Sequence, residues 1–278
     1  MVASRLGEPV ESFASNEVPV IDKDYSLAEV LKSMEKAKID RAFLTEEGRL
    51  RGVVTYRDIL DKLATVRTRR AYIGGLHGSN FMNEPVKAVS PGDPFSRALE
   101  TMSSGMFTSV PVTGGSGEVI ASLTRYDVAR VVRDEAAAAD AQVKDYMKTF
   151  LISASLRTRI LHVRQLIYEY DVSVVPVLDE GRFVGVVGLD EILNVFMAFY
   201  SLQRGEPKRH TPLKYVVAAD AIRMRPPVVT PDSSMAEAAD KMISHRYRAI
   251  IVVDGDKPVG YISGLELSGF LLTQGRSG

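Results

Sequence analysis

Apolar residues recur along this chain with helical spacing, and each such stretch is followed by short β-branched runs. Leu27, Val30, Leu31 and Met34 stand at offsets 0, 3, 4 and 7. Phe95, Ala98, Leu99 and Met102 repeat the pattern, as do Met235, Ala238, Ala239 and Met242. The spacing predicts amphipathic helices with one buried face. A further stretch is interrupted by Arg164, between Val163 and Ile167, which weakens the helical pattern there. Ser26-x-x-Glu29 and Ser234-x-x-Glu237 read as capping boxes, and Asp93-Pro94 as an N-cap followed by proline in the first turn.

Behind each helix the pattern predicts two strands and a tight turn. Val172 to Leu178 is followed by Asp179-Glu180-Gly181, and Ala249 to Val253 by Asp254-Gly255-Asp256. A second apolar helix follows, carried by Ile59, Leu60 and Leu63 in one stretch and by Leu267, Phe270 and Leu271 in another. The unit is strand, helix, strand, strand, helix. Alone it has a small core and bare strand edges, so it is expected to pair with a neighbour.

The unit occurs four times. Its second long strand ends in Gly52-Val53-Val54-Thr55-Tyr56-Arg57-Asp58, Ala121-Ser122-Leu123-Thr124-Arg125-Tyr126-Asp127 and Gly260-Tyr261-Ile262-Ser263-Gly264-Leu265-Glu266. In the third copy, Gly185-Val186-Val187-Gly188-Leu189-Asp190-Glu191, the hydroxyl is gone. Met82, Met147 and Ile222 each stand 29 residues before Pro111, Pro176 and Ile251, whose counterpart in the first copy is Phe43. Gapless intervals of that length fix a common register. Polar, basic connectors follow copies one and three, whereas the join between two and three is short. The chain therefore divides as copies 1+2 and 3+4.

These residues resemble the cystathionine β-synthase (CBS) domain family: the β-α-β-β-α unit, the Gly-apolar-apolar-Thr/Ser-x-x-Asp signature and the tandem pairing. The resemblance implies an α/β (α+β) fold of four CBS repeats forming two pseudo-twofold Bateman modules. Repeats are expected at 10–66, 81–137, 138–200 and 216–275, with linkers at 67–80 and 201–215 and modules at 10–137 and 138–275. It further implies a regulatory role, with clefts for AMP, ADP, ATP or S-adenosylmethionine; no Ser/His/Asp arrangement or isolated carboxylate pair is apparent, so no enzymatic activity and no required cofactor are expected.

The signature also has its own chemistry. A carboxylate accepts both hydrogen bonds of a ribose diol, and a hydroxyl with free N–H groups at a helix start suits a phosphate oxygen. Thr55 with Asp58 and Thr124 with Asp127 are the intact pairs, and Ser90 and Thr230 stand at first-strand ends near the clefts. Ser263 with Glu266 is one methylene longer, and Gly188 with Glu191 departs further, so the first module is expected to be the better nucleotide binder. Arg248, aligned with Asp40, Thr108 and Ser173, is a candidate for a ligand phosphate, or else a rim or inter-module ion pair. The competing reading of every Thr/Ser-x-x-acid element is a helix cap.

Composition narrows the classes. Lysine plus arginine and aspartate plus glutamate both number 35, so no global charge steers the chain to nucleic acid or membrane. With no cysteine and four scattered histidines, no metal-ligand spacing appears. There is no apolar run of membrane-spanning length, and a cytoplasmic protein is expected. The basic linker residues Arg67, Arg69, Arg70, Lys208, Arg209 and His210 lack interleaved aromatics, so nucleic-acid association ranks below a solvated connector. The reading is a stand-alone ligand sensor, with a ligand-free interaction scaffold as its rival. Its modules are expected to pair as a homodimer or by intramolecular stacking, and its output lies with an unknown protein partner.

Overall fold

The computed structural model describes residues 5–63, 75–135, 140–149, 152–202 and 213–276. The basic linker residues lie outside them. Each repeat's first helix forms where the apolar period places it: Leu27–Ala37, Phe95–Ser104, Ile160–Glu169 and Met235–His245. The predicted stripes are buried, except that Leu31 is only partly so. Arg164 does not break its helix. Ile160, Val163 and Ile167 supply the buried face, while Arg164 reaches Asp61 at 3.0 Å and lies over the Tyr168 ring.

The caps differ in detail. Ser26 and Glu29 form the reciprocal box. Ser234 accepts from the Glu237 amide, but the Glu237 carboxylate turns to Lys241 at 2.7 Å. Asp93 is not the N-cap expected of it. Pro94 holds that position in extended backbone, while Asp93 accepts from the Ser90 amide and pairs with Arg97.

The long strands form four antiparallel hairpins: Arg41–Glu46 with Arg49–Thr55, Ser109–Thr113 with Val119–Thr124, Val174–Asp179 with Arg182–Gly188, and Ala249–Asp254 with Lys257–Ser263. Every hairpin carries a register irregularity near its turn. A short parallel strand precedes three of them, at Val20–Asp22, Ala154–Ser155 and Val228–Val229, and a single Val89–Val112 bridge replaces it in the second.

Sister repeats trade their opening residues. Ser15 bridges Ser122 of the second repeat, and Asn83 bridges Val53 of the first. Lys148–Thr149 pairs with Tyr261 and Gly260, and Arg223–Met224 pairs with Val186 and Gly185. Four backbone exchanges thus bind copies 1 with 2 and 3 with 4, giving the two Bateman modules.

The hydrophobic cores run the other way. One is built mainly from repeats two and four and the other mainly from repeats one and three. Helix Arg125–Asp134 packs on Met235–His245, and Tyr56–Leu63 packs on Leu189–Leu202. At about 1.5–3 kcal/mol for each fully buried large aliphatic side chain, these faces hold the two modules together within one chain. The stacking is intramolecular.

Candidate functional site

The signature elements sit where the second hairpin strand passes into the second helix, and each closes as a cap. Asp58 Oδ2 accepts from the Thr55 amide at 2.8 Å and its hydroxyl at 2.6 Å, and the Asp58 amide donates back to Thr55 Oγ1. Thr124 with Asp127 repeats that geometry, and Ser263 with Glu266 repeats the two bonds to the carboxylate. The atoms expected to hold a ligand are therefore the same atoms that cap the helices.

In three of the elements the acid also meets the exchanged segment of the sister repeat. Asn83 Nδ2 donates to Asp58 Oδ1 at 2.7 Å, and Ser15 Oγ donates to Asp127 at 3.1 Å. Arg223 holds Glu191 at 2.5 Å. Asp127 is taken further: Arg130 bonds its second oxygen, and Glu17 ties Arg130 to Arg246. Asp127 is only 3% exposed, and burial pushes its carboxyl above the usual range despite those donors. Burial likewise raises Glu191, with the neighbouring Asp190 adding to it.

A cavity of about 510 Å³ gathers what is left open. Thr55 and Asp58 of repeat one line it, and so do Ser263 and Glu266 of repeat four. Phe43, Val53 and Pro111 supply apolar wall, the setting a nucleobase needs. Thr124 and Asp127 do not line this cavity. Ser90 and Thr230 do not line it either; they are exposed, bonded locally to Asp93 and Ser233. Of the two acids expected in the first module, Asp58 lines this cavity and Asp127 does not, because Ser15 and the Arg130–Glu17 pair cover it.

Asp40, Thr108, Ser173 and Arg248, the aligned residues one per repeat, all line the cavity. Asp40 Oδ1 bonds Arg125 at 2.6 Å, while Oδ2 meets Arg248 at 3.2 Å and Arg41 at 3.4 Å. Arg125 also donates to Thr108 at 2.7 Å, and Arg248 reaches Asp190. Burial alone would raise the Asp40 carboxyl, but Arg125, Arg248 and Arg41 hold it well below the usual carboxylate range. Arg125 fits because Gly264, its counterpart in repeat four, leaves room: a Cβ there would lie 2.5 Å from the Arg125 Cβ. Two residues that line the cavity, Arg41 and Ser109, each keep a buried polar atom without a partner, Nε and Oγ. Asp40, Arg125 and Arg248 also border a second cavity of about 330 Å³, with Tyr56, Tyr126 and Arg246.

Arg41, Arg125 and Asn83 were absent from the sequence-derived site. Arg125 is one of the two unspecified positions inside Thr-x-x-Asp, and its partner Asp40 lies 85 residues away. The only signal was the alignment of Arg248 with Asp40, Thr108 and Ser173.

The sequence matches the CBS domain at residues 10–65, 79–134, 143–198 and 218–271. The chain belongs to the CBS domain family. Protein MJ1225 from Methanocaldococcus jannaschii, a proposed archaeal homolog of g-AMPK, has the same fold: TM-score 0.82, 18% identity, 94% of this chain and 99% of that one covered. The uncharacterized protein MJ1404 of the same organism is 24% identical over 277 residues, 94% of this chain. This chain spans 61% of that relative's length, and 24% of a homoserine O-acetyltransferase from Methanococcus vannielii, to which it is 22% identical over 116 residues. Among the described residues no helix is long and apolar enough to cross a membrane, and no cluster of histidine, aspartate and glutamate is arranged to hold a metal ion.

Proposed function

We propose that this CBS-domain chain is a non-enzymatic sensor that binds an adenosine-containing ligand in the central cavity and passes its occupancy to a protein partner. The observation that carries the reading is the pairing, in one cavity, of the Thr55–Asp58 element with the guanidinium cluster of Arg41, Arg125 and Arg248. Asp58 receives the ribose diol, the wall of Phe43, Val53 and Pro111 receives the base, and the arginines receive the anionic end. Arg41 Nε and Ser109 Oγ, buried without partners, are donors that a ligand would satisfy.

All four repeats contribute to the cavity wall, so a bound ligand favours one arrangement of the modules by its differential affinity for it. Calorimetric titration with AMP, ATP and S-adenosylmethionine tests the reading. Saturable binding lost in Asp58→Ala and retained in Asp127→Ala supports it. If none of the three ligands binds, the caps are only caps and the chain is an interaction scaffold.

A further inference from the structure

We propose that Asp40 sets the charge this cavity accepts, selecting an adenosyl monophosphate over a triphosphate. The inference rests on the ligand reading above and narrows it to one class. Six cationic side chains line the cavity, Arg41, Arg57, Lys87, Arg125, Lys148 and Arg248, against four carboxylates, Asp40, Asp58, Asp171 and Glu266. The lining's excess of two positive charges, reduced where Asp190 outside the lining holds Arg248, suits a small anion rather than a highly charged one.

Asp40 is central to that balance. Both of its oxygens are engaged by three guanidinium groups, so a fixed anion already occupies the cluster that a phosphate would use. It does not swing aside readily: the Asp40 carbonyl accepts from the Tyr56 amide at 3.0 Å, and Arg125 and Arg248 clamp the side chain. A single phosphoryl group takes up the donors left over, Arg41 Nε and Ser109 Oγ. Each further phosphoryl adds negative charge beside Asp40, in a wall that also carries Asp58, Asp171 and Glu266. Coulomb repulsion in a partly desolvated site grows with each added charge, so the penalty rises from adenosine through AMP to ATP.

Calorimetry of adenosine, AMP and ATP on the wild-type chain and on Asp40→Asn decides it. The wild type is expected to bind AMP more tightly than ATP. In Asp40→Asn the ATP affinity rises by roughly tenfold more than the AMP affinity, and adenosine changes by less than about twofold. An unchanged AMP-to-ATP ratio overturns the proposal, as does a gain for adenosine equal to that for ATP. Loss of phosphate affinity in Asp40→Asn also overturns it and makes Asp40 a positioning residue for the arginines. Should that variant fail to fold, Asp190→Asn relieves Arg248 without touching the cavity wall, and it must shift the ratio the same way by a smaller factor. If the wild type binds neither adenosine nor AMP, the ligand reading itself is lost; if both bind and the ratio does not move, only the role of Asp40 is lost.

Discussion

Met82 lies against the bare Cα of Gly52: a Cβ on that glycine would stand 2.7 Å from the methionine sulfur and 2.9 Å from its Cβ. Met82 belongs to the segment that repeat two lends to repeat one. The same contact recurs in the other module, where Ile222 covers Gly185 and Met147 covers Gly260.

Alanine at these glycines is expected to weaken the pairing of sister repeats. At Gly185 and Gly260 the added Cβ would meet backbone oxygens, of Arg223 at 2.5 Å and Lys148 at 2.6 Å. Overpacking there should cost about 1–3 kcal/mol, with Gly52→Ala at the low end because a methionine side chain yields more easily. Urea midpoints of the three variants check the ranking.

Asp58 and Asp127 share a motif but should part company on mutation. Asp127→Ala removes a buried cap and frees Arg130 and Ser15, costing about 1–2 kcal/mol or more of stability. Asp58→Ala loses a half-buried cap, so it should destabilise less while abolishing ligand binding. Thermal unfolding and titration of both proteins, side by side, read the contrast.

The arginine-bound carboxylate gives the chain an acid limit. Asp40 is held below its ordinary value of 3.8, so its contribution is present above that value and is lost as pH falls toward its folded value. Asp127 and Glu191 are raised, so their contribution is present at low pH and is lost as pH climbs through their folded values. Between about pH 5 and pH 3, wild type should therefore lose more stability than Asp40→Asn, whereas Asp127→Asn should gain on wild type as pH rises toward neutrality. Denaturant midpoints measured from about pH 3 to pH 7 give the slopes.

A chain cut between residues 135 and 140 should not yield two monomers. The helix Arg125–Asp134 would expose the face that now packs on Met235–His245, and Tyr56–Leu63 the face that packs on Leu189–Leu202. Apolar areas of that kind seek a substitute partner. The isolated first half is expected to dimerise, by light scattering, and to revert to a one-to-one complex when the second half is added.

Much of this fold was legible because helix and strand periods are local. Leu27, Val30 and Met34 mark their buried face within two turns, and Ser26 with Glu29 marks its start. Arg164 misled because a cation at an apolar offset can turn out to Asp61 without disturbing Ile160 and Val163. The candidate site was legible only in part. Thr55 and Asp58 were visible as a motif, and Arg248 as a cation in an aligned row. That Ser15 closes over Asp127 was not visible, since that bond joins residues 112 apart and depends on the exchange of opening segments. Nor could spacing reveal that Arg125, an unspecified letter inside Thr-x-x-Asp, would meet Asp40.

The exchange of opening segments has a consequence for how such a chain can change in length. A lone repeat, cut out or added, would leave one sister's glycine uncovered and its own first residues with no strand to join. Growth or loss is therefore tolerated in twos, and the half-chain, not the motif that recurs four times, is the smallest heritable brick of this architecture.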